Sequence, residues 1–131
     1  MKDVKFRYRI KQSGKITTLI FTLEEIETGA MLDILTLYPT PKILSRDLYT
    51  GHKDKNGKEI YGGDKIYGIW KFGSENIYEE GVVKRDTIII GEYGIKADTW
   101  VVEEKGMQKI PLHSLIGVEV IGDIYEKEVE K

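Results

Sequence analysis

Tyr49-Thr50-Gly51-His52-Lys53-Asp54-Lys55-Asn56-Gly57-Lys58-Glu59-Ile60-Tyr61-Gly62-Gly63-Asp64 joins a tight-turn code to a second glycine turn and then launches an apolar strand. Asn56-Gly57 is the strongest short hairpin signal a sequence offers, because a type I′ turn needs positive φ at both central residues. Lys53, Lys55 and Lys58 cluster around that turn and form a candidate loop contact for a partner. Two ligand motifs nearly match and fail. Five residues separate Gly51 from Gly57-Lys58 where a P-loop has four, and Glu59 stands where Ser or Thr is needed. Asp54-Lys55-Asn56-Gly57 begins like a calcium loop, but its glycine arrives early and no closing glutamate is in register. Turn structure accounts for every residue of the run.

Downstream, the chain reads as a succession of short strands over 65–72, 78–85, 87–90, 98–104 and 118–125, separated by turns at Gly73-Ser74, Glu92-Tyr93-Gly94 and Lys105-Gly106. With a brief turn over 111–115 before the last strand, this spacing predicts a small SH3-like β-barrel. Its expected core is Ile66, Trp70, Phe72, Val82, Ile88, Ile90, Trp100, Val102, Leu115, Val118, Val120 and Ile124. The Gly-Asp-x-Ile-Tyr of Gly63 to Tyr67 is echoed by Gly122-Asp123-Ile124-Tyr125, two matched turns that are too little for a repeat.

Upstream, Val4, Phe6, Tyr8 and Ile10 alternate strictly with Lys5, Arg7, Arg9 and Lys11, the period of a strand. The apolar set is expected to face the core. Lys5, Arg7, Arg9 and Lys11 then line the opposite face, either as a phosphate-contacting stripe or as a solvated surface guarding an edge strand against aggregation. Ser13-Gly14 turns the chain into a β-branched run over 16–23, giving a hairpin. Thr22 can cap a short helix with Glu24 and Glu25 in its first turn and Gly29 at its end. Residues 31–37 read as a third buried strand, and Pro39 and Pro41 hold an extended seam. The expected organisation is mainly β with one or two helical turns. It is one domain over 1–131, with a hairpin and helix in 1–44, a barrel-like core in 45–125 and a frayed tail in 126–131.

The wording TG-x-KDKNGKEIY-x-GD over residues 50–64 resembles the signature of the YopX family, small proteins carried by bacteriophages and prophages. Val4-Lys5-Phe6-Arg7, residues 21–29 and residues 118–126 resemble further segments of that family in the same order. Gly62 departs from it by replacing an acidic residue, His52 by replacing an aliphatic one, and Tyr8-Arg9 by replacing a small residue and tryptophan. The resemblance implies a phage or prophage protein that forms assemblies, and it implies no particular reaction.

Composition narrows the function classes. A chain of 131 residues, 40% hydrophobic and 32% charged, can bury one core. With no cysteine, disulfides and thiolate metal sites are excluded. The absence of a long apolar run or signal-peptide core predicts a cytoplasmic protein without membrane partners, and the resemblance implies that the cell is a bacterial host. A net charge of -2 gives no global attraction to polyanions. His52 and His113 are the only histidines, without HxH or HExxH spacing, so a two-histidine metal site requires the fold to bring their loops together. Ser114 beside His113 is no dyad. The expectation is no catalytic residue, no metal, no cofactor and no enzyme activity. What remains is a protein-interaction or self-assembling module, supported by eight tyrosines, or a nucleic-acid accessory protein using Lys5, Arg7, Arg9 and Lys11.

Overall fold

The computed structural model describes residues 4–90, 92–103 and 109–123. Strands β1 (Lys5–Gln12) and β2 (Lys15–Thr22) lead into two short helices, α1 (Leu23–Glu27) and α2 (Ala30–Leu35). Then come β3 (Lys42–Lys53), β4 (Glu59–Tyr61), β5 (Asp64–Phe72), β6 (Glu75–Ile90), β7 (Ile95–Glu103) and β8 (Ile110–Pro111). A 3-10 turn at Leu112–Ser114 precedes β9 (Ile116–Asp123). The strands form two antiparallel sheets, ordered β2-β1-β3-β4 and β8-β7-β6-β5-β9, which curl into a half-barrel. The mainly β, barrel-like reading of the sequence holds.

The first hairpin follows its turn chemistry. Ser13 and Gly14 both adopt positive φ, 51° and 77°, the type I′ geometry, and β1 and β2 pair without interruption from Lys5↔Thr22 to Gln12↔Lys15. Thr22 caps α1 in a complete capping box: its hydroxyl accepts from Glu25 N–H, and the Glu25 carboxylate accepts from Thr22 N–H. The sequence pointed to the cap and not to its reciprocal glutamate.

Two expectations about local structure are corrected. Residues 31–37 do not form a strand; they lie in α2 and the turn after it. Gly29, at φ 88°, redirects the chain so that Met31, Ile34 and Leu35, spaced three and four apart, pack on Tyr8, Ile10 and Phe21. A short apolar run satisfies either period, and the cover needed by the sheet decides between them. The Asn56-Gly57 turn is not type I′ either, since only Gly57 has positive φ. Gly57 N–H donates to Asp54 C=O at 3.0 Å, and Asp54 N–H donates to Lys58 C=O at 2.8 Å, a three-residue loop with glycine at its left-handed position. Asp54 selects this form by accepting from the N–H groups of Asn56 and Lys58 on one carboxylate oxygen.

The principal core lies on the inner face of the five-stranded sheet: Ile60, Ile66, Val83, Trp100, Val102, Ile110, Leu112 and Leu115 are buried there, with Trp70, Val118 and Val120 packed against them. Val82 and Ile88 are only half-buried, while Ile60, Val83, Ile110 and Leu112 are core residues the sequence reading passed over. Ile124, the Lys105-Gly106 turn, the tail over 126–131 and the side chains of Phe72 and Ile90 lie outside what is described. The expected strands 78–85 and 87–90 are one continuous strand, β6, which pairs with β5 up to Val82 and with β7 from Val82 onward. At this handover a Cβ on Gly81 would stand 2.8 Å from the backbone oxygen of Glu103, so only glycine fits the corner.

Candidate functional site

β1 is not an edge strand. It lies between β2 and β3, and both of its faces are covered. Tyr8 and Ile10 are buried, as expected of the apolar set, beneath the two helices, whereas Val4 of that set is exposed. Arg7 and Arg9, expected on a solvated face, are instead 6% and 8% exposed. The alternation was read correctly, but a second sheet lies where solvent was expected, and a buried guanidinium must then find carboxylates.

Those carboxylates come from three strands. Arg7 donates through Nη1 to Asp64 Oδ1 at 2.6 Å, and through Nη2 and Nε to Asp47 Oδ2 at 3.0 and 3.3 Å. Its guanidinium also stacks 4.9 Å from the Tyr61 ring. Arg9 donates to Thr18 Oγ1 at 2.6 Å and pairs with Asp123. Asp64 and Asp123 are directly opposite each other in the β5–β9 register, so the two Gly-Asp dipeptides set aside in the sequence stand side by side, each receiving one arginine of β1. That echo was the sequence signal for Asp64 and Asp123, as the alternation in β1 was for the arginines, and it needed the fold to be interpretable.

The signature stretch builds the hub. Gly62-Gly63 turns the chain between β4 and β5, with Gly63 at φ 92°, and across that turn Asp64 Oδ2 accepts from Tyr61 N–H at 2.9 Å. Thr50 donates its hydroxyl to Ile60 C=O at 2.7 Å and accepts from His52 N–H, bridging a bulge at Gly51, whose φ is 85°. Asp54 reaches further: its second carboxylate oxygen accepts from Val120 N–H at 3.0 Å, while Lys55 N–H donates to Val118 C=O at 2.8 Å, tying the loop to β9. A Cβ on Gly62 would press to 3.0 Å from the Trp100 ring, so this position faces a core aromatic.

The electrostatics follow from burial and pairing. Burial works against the Arg7 charge, yet Asp64 and Asp47 outweigh it and raise its pKa above the ordinary value. Asp47 is pushed up by burial, which its share of one guanidinium does not fully offset. Asp54 is raised by burial but lowered further by the amides of Val120, Lys58 and Asn56, and ends below the usual carboxylate range. Glu59 is likewise lowered on balance, through Lys5 and the Tyr61 hydroxyl. Burial and the Glu59 carboxylate push the Tyr61 phenol well above its ordinary value.

Over this hub opens a cleft of about 350 Å³, lined by Arg7, Arg9, Thr18, Ile20, Lys58 and Tyr61 among others. Of the four cations in the expected stripe, Arg7 and Arg9 line it from beneath, Lys5 pairs with Glu59 and lies 4.8 Å from the Tyr49 ring, and Lys11 is exposed at the strand end. The three loop lysines separate: Lys58 rims this cleft, Lys55 pairs with Glu119 at 3.2 Å, and Lys53 lines a different cleft. That second cleft, about 230 Å³, brings His52 and His113 to one cavity, the juxtaposition the sequence left to the fold. Among the described residues no group of three or more histidine, aspartate and glutamate side chains is placed to hold a metal ion. No helix among them is long and apolar enough to cross a membrane.

A family model described as YopX protein matches residues 7–129. No curated protein and no solved structure matches the chain.

Proposed function

The chain belongs to the YopX family, and from that premise we propose that it is a phage- or prophage-encoded, non-enzymatic module that self-associates through its uncovered sheet face in the cytoplasm of the bacterial host. One observation carries the reading. On the outer face of the five-stranded sheet, Tyr67 and Tyr78 stack with ring centroids 5.8 Å apart, Tyr78 is 60% exposed, and Ile69 and Ile116 lie in register beside them. Aromatic and aliphatic surface of this kind is what protein interfaces bury. The non-enzymatic part of the reading is supported by the pairing of charges in the cleft, where the arginines are held by carboxylates and Glu59 by Lys5. The SH3-like character of the half-barrel belongs to the same reading and does not arbitrate function.

The burial of Arg7 and Arg9 and their pairing with Asp47, Asp64 and Asp123 weigh against the nucleic-acid alternative. The test is size-exclusion chromatography with light scattering at low and high salt, with and without a mixed-sequence single-stranded oligonucleotide. An oligomer that persists in high salt, ignores the oligonucleotide and dissociates in Tyr78→Glu is expected. A monomer that co-elutes with the oligonucleotide at low salt overturns the reading.

A further inference from the structure

We propose that Asn56-Gly57 is a self-modification site held in check by its loop: the backbone nitrogen of Gly57 displaces the side-chain amide of Asn56, and the iso-aspartyl product breaks the clasp by which Asp54 ties the loop to β9. The chain contains two asparagines, and only Asn56 precedes glycine. Asn56, Gly57 and Lys58 are exposed, and the Asn56 side-chain amide makes no hydrogen bond among the described residues. A Cβ on Gly57 would meet nothing within 4 Å, and glycine leaves the attacking nitrogen without a neighbouring side chain to shield it. Asn76 is equally exposed but precedes β-branched Ile77 and lies opposite Lys71 in the β5–β6 register, which makes it an internal control.

The chemistry needs only water and hydroxide. Hydroxide takes the Gly57 N–H proton, and the nitrogen attacks Asn56 Cγ. The N–Cγ bond forms, the Cγ–Nδ2 bond breaks, and Nδ2 takes a proton from water and leaves as ammonia, closing a cyclic imide. Water then cleaves either carbonyl–nitrogen bond of the imide, with no change of oxidation state. Cleavage at Cγ gives aspartate on an unchanged backbone. Cleavage at the main-chain carbonyl carbon gives iso-aspartate, in which the chain runs through Cγ and gains one backbone atom between the amides of residues 56 and 58. Asp54 Oδ1 accepts from both of those amides, at 2.8 and 2.9 Å, so it cannot keep both when the path between them lengthens. Asp54 Oδ2 accepts from Val120 N–H at 3.0 Å, so one carboxylate carries the change to β9. The native loop opposes the first step, because Gly57 N–H donates to Asp54 C=O at 3.0 Å and Asp54 fixes the amides on either side. Reaction therefore proceeds from the opened loop.

The test incubates the full-length chain at mildly alkaline pH, native and in guanidinium chloride, and follows it by mass-spectrometric peptide mapping with iso-aspartate-specific methyltransferase labelling. The expected result is an amide-to-acid mass change at Asn56 and none at Asn76, with the native chain slower than the denatured one by about tenfold or more. Native Asp54→Ala is expected to convert near the denatured rate. In NMR of the ¹⁵N-labelled chain, the iso-aspartyl fraction is expected to shift the Lys58 and Val120 amides, whereas Asn56→Asp, with the same added charge on a normal backbone, leaves Val120 in place. Absence of conversion in denaturant overturns the proposal, as does a native chain that converts as fast as the denatured one or not at all by the time the denatured chain is fully converted. A Val120 amide unmoved in the iso-aspartyl fraction, or moved equally by Asn56→Asp, also overturns it. Should Asp54→Ala fail to fold, the native-to-denatured ratio and the Val120 amide still decide.

Discussion

The two faces of β1 are about equally buried and opposite in chemistry. On one, Tyr8 and Ile10 join Phe21 beneath α1 and α2; on the other, Arg7 and Arg9 join Asp47, Asp64 and Asp123 between the sheets. The apolar face gains from any well-fitting hydrocarbon, so it tolerates repacking. The ionic face has little tolerance, because losing one partner strands the others away from water. Apolar contact holds the helices on the four-stranded sheet and, through Ile60 and Leu48, also joins the two layers, while buried charge ties β1 to β5 and β9.

Replacing one residue from each face tests that contrast most directly. Arg7→Ala leaves Asp64 and Asp47 buried without their cation and is expected to lower unfolding free energy by about 3–5 kcal/mol in urea denaturation. Gly81→Ala, which belongs to neither face, sets the scale for a steric fault at the β6 corner, with a loss of about 1–3 kcal/mol by the same measurement. Ile10→Val on the apolar face should cost about 1 kcal/mol, well below its neighbour across the strand. Thr22→Ala removes the cap of α1 and should cost about 1 kcal/mol or less, with the loss reported by helical amide exchange and not by the Arg7 side-chain resonances.

Acid sharpens the same comparison. Asp54 and Glu59 are held below their ordinary values, so their contribution is present above the unfolded pKa of about 4 and is lost as pH falls through the folded value. Asp47 is held above its ordinary value, so its own contribution runs the other way, greatest below about pH 4 and lost on going upward. The net expectation is a urea midpoint that falls below about pH 4, with peak broadening around β9 and the 53–58 loop before the Tyr8, Ile10 and Phe21 cluster responds. A uniform loss across both regions would erase the distinction.

Local grammar carried much of the fold. Ser13-Gly14, the Thr22 cap, Gly73-Ser74 and the period-two run of β1 each specify geometry through a few adjacent residues. What adjacent residues do not encode is what lies across a face. Arg7 and Arg9 look the same in sequence whether water or a second sheet covers them, and residues 31–37 fit either period until the sheet needs a lid. The Asn56-Gly57 turn was misassigned for a related reason: Asp54, two residues upstream, outbids the dipeptide by capturing the amides of Asn56 and Lys58. The candidate site was half legible, with its cations identified and its aspartates missed, because Asp47, Asp64 and Asp123 meet only through pairing between distant strands.

Asp64 and Asp123 face each other across β5 and β9, an arrangement that repels until the arginines arrive. Those arginines belong to a strand that leaves the ribosome long before β9, and the Arg9–Asp123 contact spans 114 positions of sequence. Closing so wide a loop is slow and entropically opposed, and its reward is delayed until both partners are in place. A chain interrupted before β9 leaves Arg9 without Asp123, so this buried pair exists only once both ends of the sheet arrangement are in place.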